Sequence, residues 1–186
     1  MVENKILTMI NNVVNGKLPQ YVFGKKYESF RFVIFNEVFC NQITEFIKIL
    51  FGLLKDEKAA NLLCFEGEDA NLALIKNFEL EKSNYLDIAN FFRDYEMDGV
   101  PYFALLAFNI ILIDSKETIC IYGDRNYDVC IIGCSEYNFI RLRKEQAGII
   151  FMDLNEYINY LKSVSTKDIA EIIKQLELNY TNHSVI

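Results

Sequence analysis

Three apolar segments rich in β-branched and aromatic residues follow one another in the second half of the chain. They cover Tyr102–Ile113, Glu117–Tyr122 and Tyr127–Gly133. Only two short polar breaks, Asp114–Lys116 and Gly123–Asn126, separate them. Breaks this short join antiparallel neighbours, because a parallel crossover needs about a dozen residues or more. The sequence therefore predicts an antiparallel meander.

The third apolar segment also predicts which face of the meander is covered. Tyr127, Val129 and Ile131 alternate with a second set of residues that begins at the polar Asp128. This alternation is typical of a strand with one face on a core and the other in solvent. We therefore expect a half-exposed sheet.

The first third of the chain alternates between helical and strand periods. The predicted order is helix, strand, helix, strand, over Glu3–Val14, Phe30–Phe35, Phe39–Leu54 and Asn61–Phe65. The next stretch, Ala70–Leu80, fits either a strand or a short helix.

Capping residues and a last apolar run predict the remaining elements. The predictions are a helix from Ser83 through Tyr95, a short strand at Phe139–Leu142, a helix capped by Asp153 to about Lys162, and a helix opened by Ser165 and Asp168 through Leu178.

These patterns describe one α+β domain. The chain has 186 residues, which is about one domain. The expected domain covers residues 1–178, with a flexible tail at 179–186 and no internal repeats. Its predicted core is a mixed or antiparallel sheet of four to six strands, with a C-terminal meander and helices packed against it.

The five cysteines predict no metal site and no disulfide framework. Their number is odd and each lies in or beside an apolar run, which is typical of buried reduced thiols. A disulfide between Cys130 and Cys134 would need a break in strand geometry. The lone histidine, His183, is in the expected tail, so neither a zinc site nor a His-activated nucleophile is predicted. No glycine-rich phosphate loop occurs, and we expect no cofactor.

The net charge comes from one stretch of the chain. Residues 56–98 contain eleven carboxylates and four cations, an excess of seven negative charges that equals the formal net charge of −7. The acids are Asp56, Glu57, Glu66, Glu68, Asp69, Glu79, Glu81, Asp87, Asp94, Glu96 and Asp98. A concentrated acidic surface repels nucleic acid and anionic membrane and attracts basic proteins. We name residues 56–98 the acidic segment.

Aromatic residues accompany these acids. Tyr85, Phe91, Phe92, Tyr95 and Tyr102 lie in or beside the acidic segment. Aromatic side chains among charged ones are typical of protein-binding surfaces. The predicted partner-binding residues are Asp87, Asp94, Tyr95, Glu96, Asp98 and, as an outlier at a hairpin tip, Asp124. The alternative for Asp124 is a turn residue selected for backbone reasons.

A cluster of cations lies downstream, at Arg141, Arg143 and Lys144, with Arg125 before it. With a pI of about 4.8, a nucleic-acid footprint is not expected. A solvated face, or pairing of these cations with the acidic segment, accounts for them better.

The leading hypothesis is an acidic protein-binding module: a small cytoplasmic inhibitor or immunity protein that neutralises a basic partner such as a bacterial toxin. The start of the chain, Met1–Asn4, has no basic segment before an apolar stretch, so no secretory signal is predicted. The first alternative is a hydrolase-like enzyme with a carboxylate site. The second is a structural homo-oligomeric module, whose sign would be an exposed apolar patch.

Overall fold

A computed structural model describes residue 18 and residues 21–23, 27–66, 73–94, 96–97, 100–101, 109–142, 145–165 and 169–181. The strands are β1 (Ser29–Ile34), β2 (Asn61–Glu66), β3 (Ala73–Glu79), β4 (Glu96–Met97), β5 (Val100–Pro101), β6 (Asn109–Asp114), β7 (Ile119–Asp124), β8 (Val129–Cys134), β9 (Glu145–Gln146) and β10 (Ile149–Ile150). The helices are a π-helix (Glu37–Asn41), α1 (Ile43–Asp56), α2 (Tyr85–Asp94), α3 (Glu136–Arg141), α4 (Leu154–Val164) and α5 (Ala170–Tyr180).

Six strands form one antiparallel sheet in the order β1-β8-β7-β6-β2-β3. The predicted meander is confirmed, because β6, β7 and β8 are consecutive neighbours joined by four-residue turns. The α+β class and the antiparallel sheet are confirmed with it. The ambiguous stretch at 70–80 is a strand from Ala73 onward. The predicted helix at 3–14 and the first residues of the 102–113 segment lie outside the described residues.

Strands β6, β7 and β8 are covered on both faces, so the expectation of a half-exposed sheet is wrong for the meander. Every residue of β6, β7 and β8 is buried. On one face, Ile121 and Ile132 pack with Ile47 and Leu54 of α1. On the other, Ile131 packs with Tyr157 of α4 and a group that includes α5. Asp128 misled the prediction because it ends the turn before β8 instead of facing solvent from the strand.

Paired Cys–Gly positions let aromatic rings approach the middle of the sheet. Cys120 of β7 faces Gly133 of β8, and Gly123 of β7 faces Cys130 of β8. A Cβ at Gly133 would lie 2.7 Å from the Tyr27 ring, and one at Gly123 would lie 3.1 Å from the Phe35 ring. The small residues therefore make one hollow on each face, and one ring fills each hollow.

Those positions recur at a spacing of ten residues in two neighbouring turn–strand units. Residues 114–123 (DSKETICIYG) and 124–133 (DRNYDVCIIG) share Asp, Cys, Ile and Gly at the same four places. Each copy is one turn followed by one strand. Of the four shared residues, the Asp caps the turn and the Gly leaves room for an aromatic ring.

The two edges of the sheet are protected against pairing with another strand. The outer side of β1 is bridged at Phe32, whose N–H and C=O bond to Met152 at 2.9 and 2.8 Å. Edge strand β3 has a register shift opposite Cys64 and Phe65, and a lysine, Lys76, beside it. Bulges and charged residues are the usual means of keeping an edge from adding a strand.

Two further predictions are corrected and one is confirmed. Phe139–Leu142 is not a strand, because Ser135 caps a helix over Glu136–Arg141 by accepting a hydrogen bond from the N–H of Asn138. Ser165 ends α4, and α5 begins at Ala170 with no side-chain cap at Ile169. The predicted cap at Asp153 is confirmed and forms a capping box with Glu156.

The chain beyond Leu178 is also ordered further than expected. Helix α5 continues to Tyr180, whose side chain is fully buried. Its hydroxyl accepts a hydrogen bond from the N–H of Val22 at 3.0 Å. Tyr180 therefore closes the core on the α4–α5 face instead of starting a tail. Residues 182–186 lie outside the described residues.

Candidate functional site

The predicted partner-binding residues divide into three groups. Asp87 and Asp94 lie on α2 and are both exposed. Glu96 is in β4, but its side chain is not described, and Tyr95 and Asp98 lie outside the described residues. Asp124 is in neither place, because it closes β7 at the far end of the meander.

The expectation that Asp124 presents an exposed carboxylate is wrong. It is only 5% exposed, and its Oδ1 accepts hydrogen bonds from the N–H groups of Asn126 at 2.8 Å and Tyr127 at 3.2 Å. The alternative, a residue selected for its turn, is the correct one. Asp114 does the same at the preceding turn.

Asp114 is fully buried and stabilises the β6–β7 turn. Its carboxylate accepts from the N–H groups of Lys116 at 2.9 Å and Ile119 at 2.7 Å, and from the Thr118 hydroxyl at 3.2 Å. Burial raises the pKa of Asp114 above its ordinary value, while these donors act in the opposite direction. Its oxygens are therefore occupied by its own turn.

Asp87 bonds back to the residue that caps its own helix. Its Oδ2 accepts from the N–H of Asn84 at 2.9 Å, and Asn84 Oδ1 accepts from the N–H groups of Leu86 at 2.8 Å and Asp87 at 3.1 Å. The cap is thus Asn84 and not the predicted Ser83. The side chain of Asp87 remains exposed despite this bond, so it is available to a partner.

Three other acids of the segment have partners within the protein. Asp56 pairs with Arg141 of α3, and Glu57 Oε1 accepts from Asn138 Nδ2 at 3.1 Å. Glu79 Oε2 lies 2.5 Å from Lys82 Nζ. The expected pairing of the cationic cluster with the acidic segment is confirmed for Arg141, while Arg143 and Lys144 lie outside the described residues.

The topology gathers most of the described acids at one end of the molecule. Helix α1 ends, β3 ends and α2 begins at the end of the sheet where β2 starts. This places five carboxylates there, which we name the acidic end: Asp56, Glu57, Glu79, Glu81 and Asp87. Asp94 lies about 10 Å further along α2, since a helix rises about 1.5 Å per residue.

The described aromatic residues of the acidic segment serve mainly in packing. Phe92 is buried against Phe39, and the partly buried Phe91 contacts Phe78 with ring centroids 5.3 Å apart. Tyr85 is partly buried, and Lys48 Nζ lies 5.7 Å from its ring centroid. Free aromatic anchors are therefore not found on α2 among the described residues.

Exposed apolar side chains occur instead beside α3. Tyr137 is 62% exposed, Ile140 is 68% exposed, and Ile150 of β10 is 57% exposed. The Arg141 guanidinium lies 5.4 Å from the Tyr137 ring centroid. Tyrosine and arginine are the residues most enriched where binding energy concentrates. No sequence signal pointed to these positions, because Phe139–Leu142 was predicted to be a strand.

A cleft of about 310 Å³ separates α1 from the segment that follows α3. Its lining comprises Glu45, Lys48, Ile49, Gly52 and Leu53 from α1, and Arg141, Gln146 and Ala147 opposite. Gly52 is in the middle of the helix, and a Cβ there would meet nothing within 4 Å. The space beside the helix is therefore open.

The cysteines offer little chemistry. Cys64, Cys120, Cys130 and Cys134 are buried, as expected, whereas Cys40 is exposed, and all five are free thiols. Burial raises the pKa of the Cys134 thiol to about 12. Over the described residues, no three His, Cys, Asp or Glu side chains are arranged to hold a metal ion. None of the described helices is long and apolar enough to cross a membrane.

No known protein family, curated protein or solved structure matches this chain.

Proposed function

We propose that this chain is a protein-binding module that recognises a basic partner through the layer formed by α1, α2 and α3. The observation that carries the proposal is the acidic end, where five carboxylates from α1, β3, α2 and their connections gather at one end of that layer and two of them, Asp56 and Glu79, pair with Arg141 and Lys82. Opposite charges on two partners speed their encounter and favour the correct orientation. Asp87 and Asp94 extend the acidic surface along α2.

The same layer supplies anchoring groups. Tyr137, Ile140 and Arg141 lie on α3, which is attached to the acidic end through Asp56 and Glu57. Charged residues at the rim and aromatic or arginine anchors nearer the centre are the usual anatomy of a protein interface. A small inhibitor or immunity protein that neutralises a bacterial toxin is the concrete form of this proposal.

Capture of partners from a lysate of the source organism tests the proposal. The wild type is compared with the double variant Asp87→Asn/Asp94→Asn, in which asparagine keeps an acceptor for the Asn84 N–H. The control is Glu171→Gln/Glu177→Gln, which removes two exposed charges from α5 on the opposite face. We expect capture of a basic protein that weakens in high salt and in the α2 variant only. Salt-independent capture, or equal loss in both variants, would contradict the proposal.

A homo-oligomeric module is the second candidate. Tyr137, Ile140 and Ile150 are the exposed apolar residues that such a module requires. Sedimentation of the purified chain separates the two candidates. A monomer favours a foreign partner. A dimer in the wild type that becomes a monomer in the Tyr137→Lys/Ile140→Lys variant favours self-association.

The enzyme alternative has less support. A carboxylate-based active site requires two carboxyl groups with raised pKa values in one cavity. Among the described residues the two buried carboxylates are Asp114 and Asp124, at opposite ends of the sheet. They are separated by the length of β7, about 17 Å at roughly 3.3 Å per residue.

A further inference from the structure

Unmet hydrogen bonds concentrate in the α3–β10 region, which we define as residues 136–142 and 145–150. Five buried side-chain atoms in this region or against it have no hydrogen-bond partner: Arg31 Nε, Gln42 Oε1, Asn138 Oδ1, Arg141 Nη1 and Gln146 Oε1. Arg31 stacks on Phe139, with 3.7 Å from its Cζ to the ring centroid, and Gln42 donates to Gly148 O at 3.4 Å. The unmet atoms thus accompany both α3 and the β9–β10 hairpin.

Buried polar atoms without a partner weaken the closed form of this region. Such atoms are uncommon in folded proteins, because each has lost its water and gained no bond in exchange. When the region moves away from the core, water reaches these atoms and the cost disappears. The free energy that keeps the region closed is therefore reduced.

Side chains provide the hydrogen bonds that attach the region to the rest of the protein. Over the described residues, these bonds join Glu28 Oε2 to the N–H of Glu136 at 3.0 Å, Glu57 Oε1 to Asn138 Nδ2 at 3.1 Å, Asp56 to Arg141, and Gln42 Nε2 to Gly148 O. Strand β7, by contrast, has main-chain partners on both sides, in β6 and β8. Two of the attachments of the region are thus made by carboxylates of the acidic end.

We propose that Asp56 and Glu57 hold the α3–β10 region closed and that a basic partner releases it by binding these two carboxylates. A cationic group that binds them competes with Arg141 and Asn138. Asp56 is accessible to such a group, because its side chain is 58% exposed. This inference rests on the proposed function, since it states what the partner changes at the acidic end.

Release uncovers an apolar surface that the closed form hides. Leu142 and Ile149 are buried and pack in the core on the α1 side of the sheet. Tyr137 and Ile140, in the same region, are already exposed. The open form therefore offers a basic partner two free carboxylates and a larger apolar contact. A partner that makes more contacts with the open form shifts the equilibrium toward it.

Amide hydrogen exchange, followed residue by residue by NMR, measures this opening. The reporters are the N–H groups of Phe139, Leu142 and Ile149 in the region and of Ile121 in the meander. Opening the region exposes less surface than global unfolding. Exchange at the three regional amides should therefore depend less steeply on urea than exchange at Ile121, and it should give one common free energy of opening.

Two variants change the closed form in opposite directions. Glu57→Ala leaves the buried Nδ2 of Asn138 without its acceptor, so exchange at the regional amides should be about tenfold faster. Gln146→Met removes an unmet acceptor and keeps the length of the side chain, so exchange there should be about fivefold slower. An unchanged rate in Glu57→Ala would overturn the inference.

A variant on the other face of the sheet is the control. Tyr180→Phe removes the acceptor of the buried Val22 N–H. That bond stays intact when only the α3–β10 region opens, so regional exchange should be unchanged, whereas Ile121 should exchange about tenfold faster. Equal acceleration at all four amides would overturn the inference, because the region would then open only with the whole protein.

Hexa-arginine is the probe for release by a basic partner, and hexa-glutamate is the control of opposite charge. At low salt, hexa-arginine should speed regional exchange about threefold or more, and hexa-glutamate should not. Regional exchange that hexa-arginine leaves unchanged or slows would contradict release. The proposed function would survive that result if capture of a basic protein still weakened in the Asp87→Asn/Asp94→Asn variant.

Discussion

The β6–β8 meander and the α3–β10 region differ in how many of their buried polar side-chain atoms have hydrogen-bond partners. In the meander, the buried Asp114 and Asp124 accept several hydrogen bonds each from their own turns. Among the described meander residues, Asn109 Oδ1 is the one buried side-chain polar atom without a partner, whereas around α3 and the β9–β10 hairpin five such atoms have none and large apolar side chains face solvent. The difference is consistent with our proposal that the meander specifies the fold and that the α3–β10 region contacts a partner.

A substitution that disturbs the packing of the meander should have the largest effect on the free energy of unfolding. Gly133→Val should destabilise the protein by about 3 kcal/mol or more, because overpacking a tight core forces side chains and backbone to shift. A Cβ at this position would lie 2.7 Å from the Tyr27 ring. Urea unfolding followed by circular dichroism measures the loss. A change below about 0.5 kcal/mol would mean that the ring moves freely.

Removing a turn carboxylate should have the next largest effect. Asp114→Ala leaves the buried N–H of Ile119 without its acceptor, and we expect a loss of about 2–3 kcal/mol. Asp114→Asn, which retains an acceptor oxygen, should lose less. The same unfolding measurement, with both variants compared against the wild type, checks this order.

The pH dependence of the Asp114 effect has a definite sign. Burial raises the pKa of Asp114 in the folded state above its ordinary value of 3.8. The folded state therefore holds this proton more tightly than the unfolded state does. The stability of the wild type relative to Asp114→Asn should fall as the pH rises above 3.8 and through the folded pKa. A relative stability that rises over this window would show that the N–H donors outweigh burial.

On helix α1, at the exposed glycine that faces α3, a substitution should instead stabilise the protein. Gly52→Ala should raise the free energy of unfolding by about 0.5–1 kcal/mol, because helix propensity improves and no neighbour is touched. Gly123→Ala is the comparison within the meander, where a Cβ would lie 3.1 Å from the Phe35 ring, and it should destabilise. Equal signs for the two variants would remove the contrast between the regions.

The smallest expected effect belongs to the ion pair between Asp56 of α1 and Arg141 of α3. The Asp56 and Arg141 side chains are 58% and 28% exposed, so a double-mutant cycle should give a coupling of about 0.5 kcal/mol. Salt at about 1 M should reduce it further, since it screens exposed charges. A coupling of about 3 kcal/mol would assign this pair to the folding core instead.

The meander could be predicted from sequence because its signal is local. Short polar breaks between apolar runs leave antiparallel pairing as the available connection, and the capping box at Asp153 is equally local. The covering of both faces could not be predicted. It depends on α1 and on the distant α4 and α5, and a period-two pattern with one polar residue does not report them.

The site was harder to predict than the fold for a related reason. Charge in the sequence predicted Asp87 and Asp94 as partner-binding residues, which stays a prediction, but it did not show that Asp56 and Glu57 would bond to α3 more than 80 residues away. Ile140 gave no sign of exposure, because Phe139–Leu142 was predicted to be a strand, and no prediction was made for Tyr137. The glycines of β7 and β8 were a signal that could have been used, since glycine inside a strand often marks a close approach.

The most direct test of the account is partner capture by the charge variant of α2. Wild type, Asp87→Asn/Asp94→Asn and the control Glu171→Gln/Glu177→Gln are immobilised at equal density, and the bound proteins from the same host lysate are compared at low and high salt. The account predicts that wild type and the α5 control retain the same basic protein and that the α2 variant retains less of it at low salt. Equal retention by all three would show that the acidic surface of α2 is not where recognition occurs.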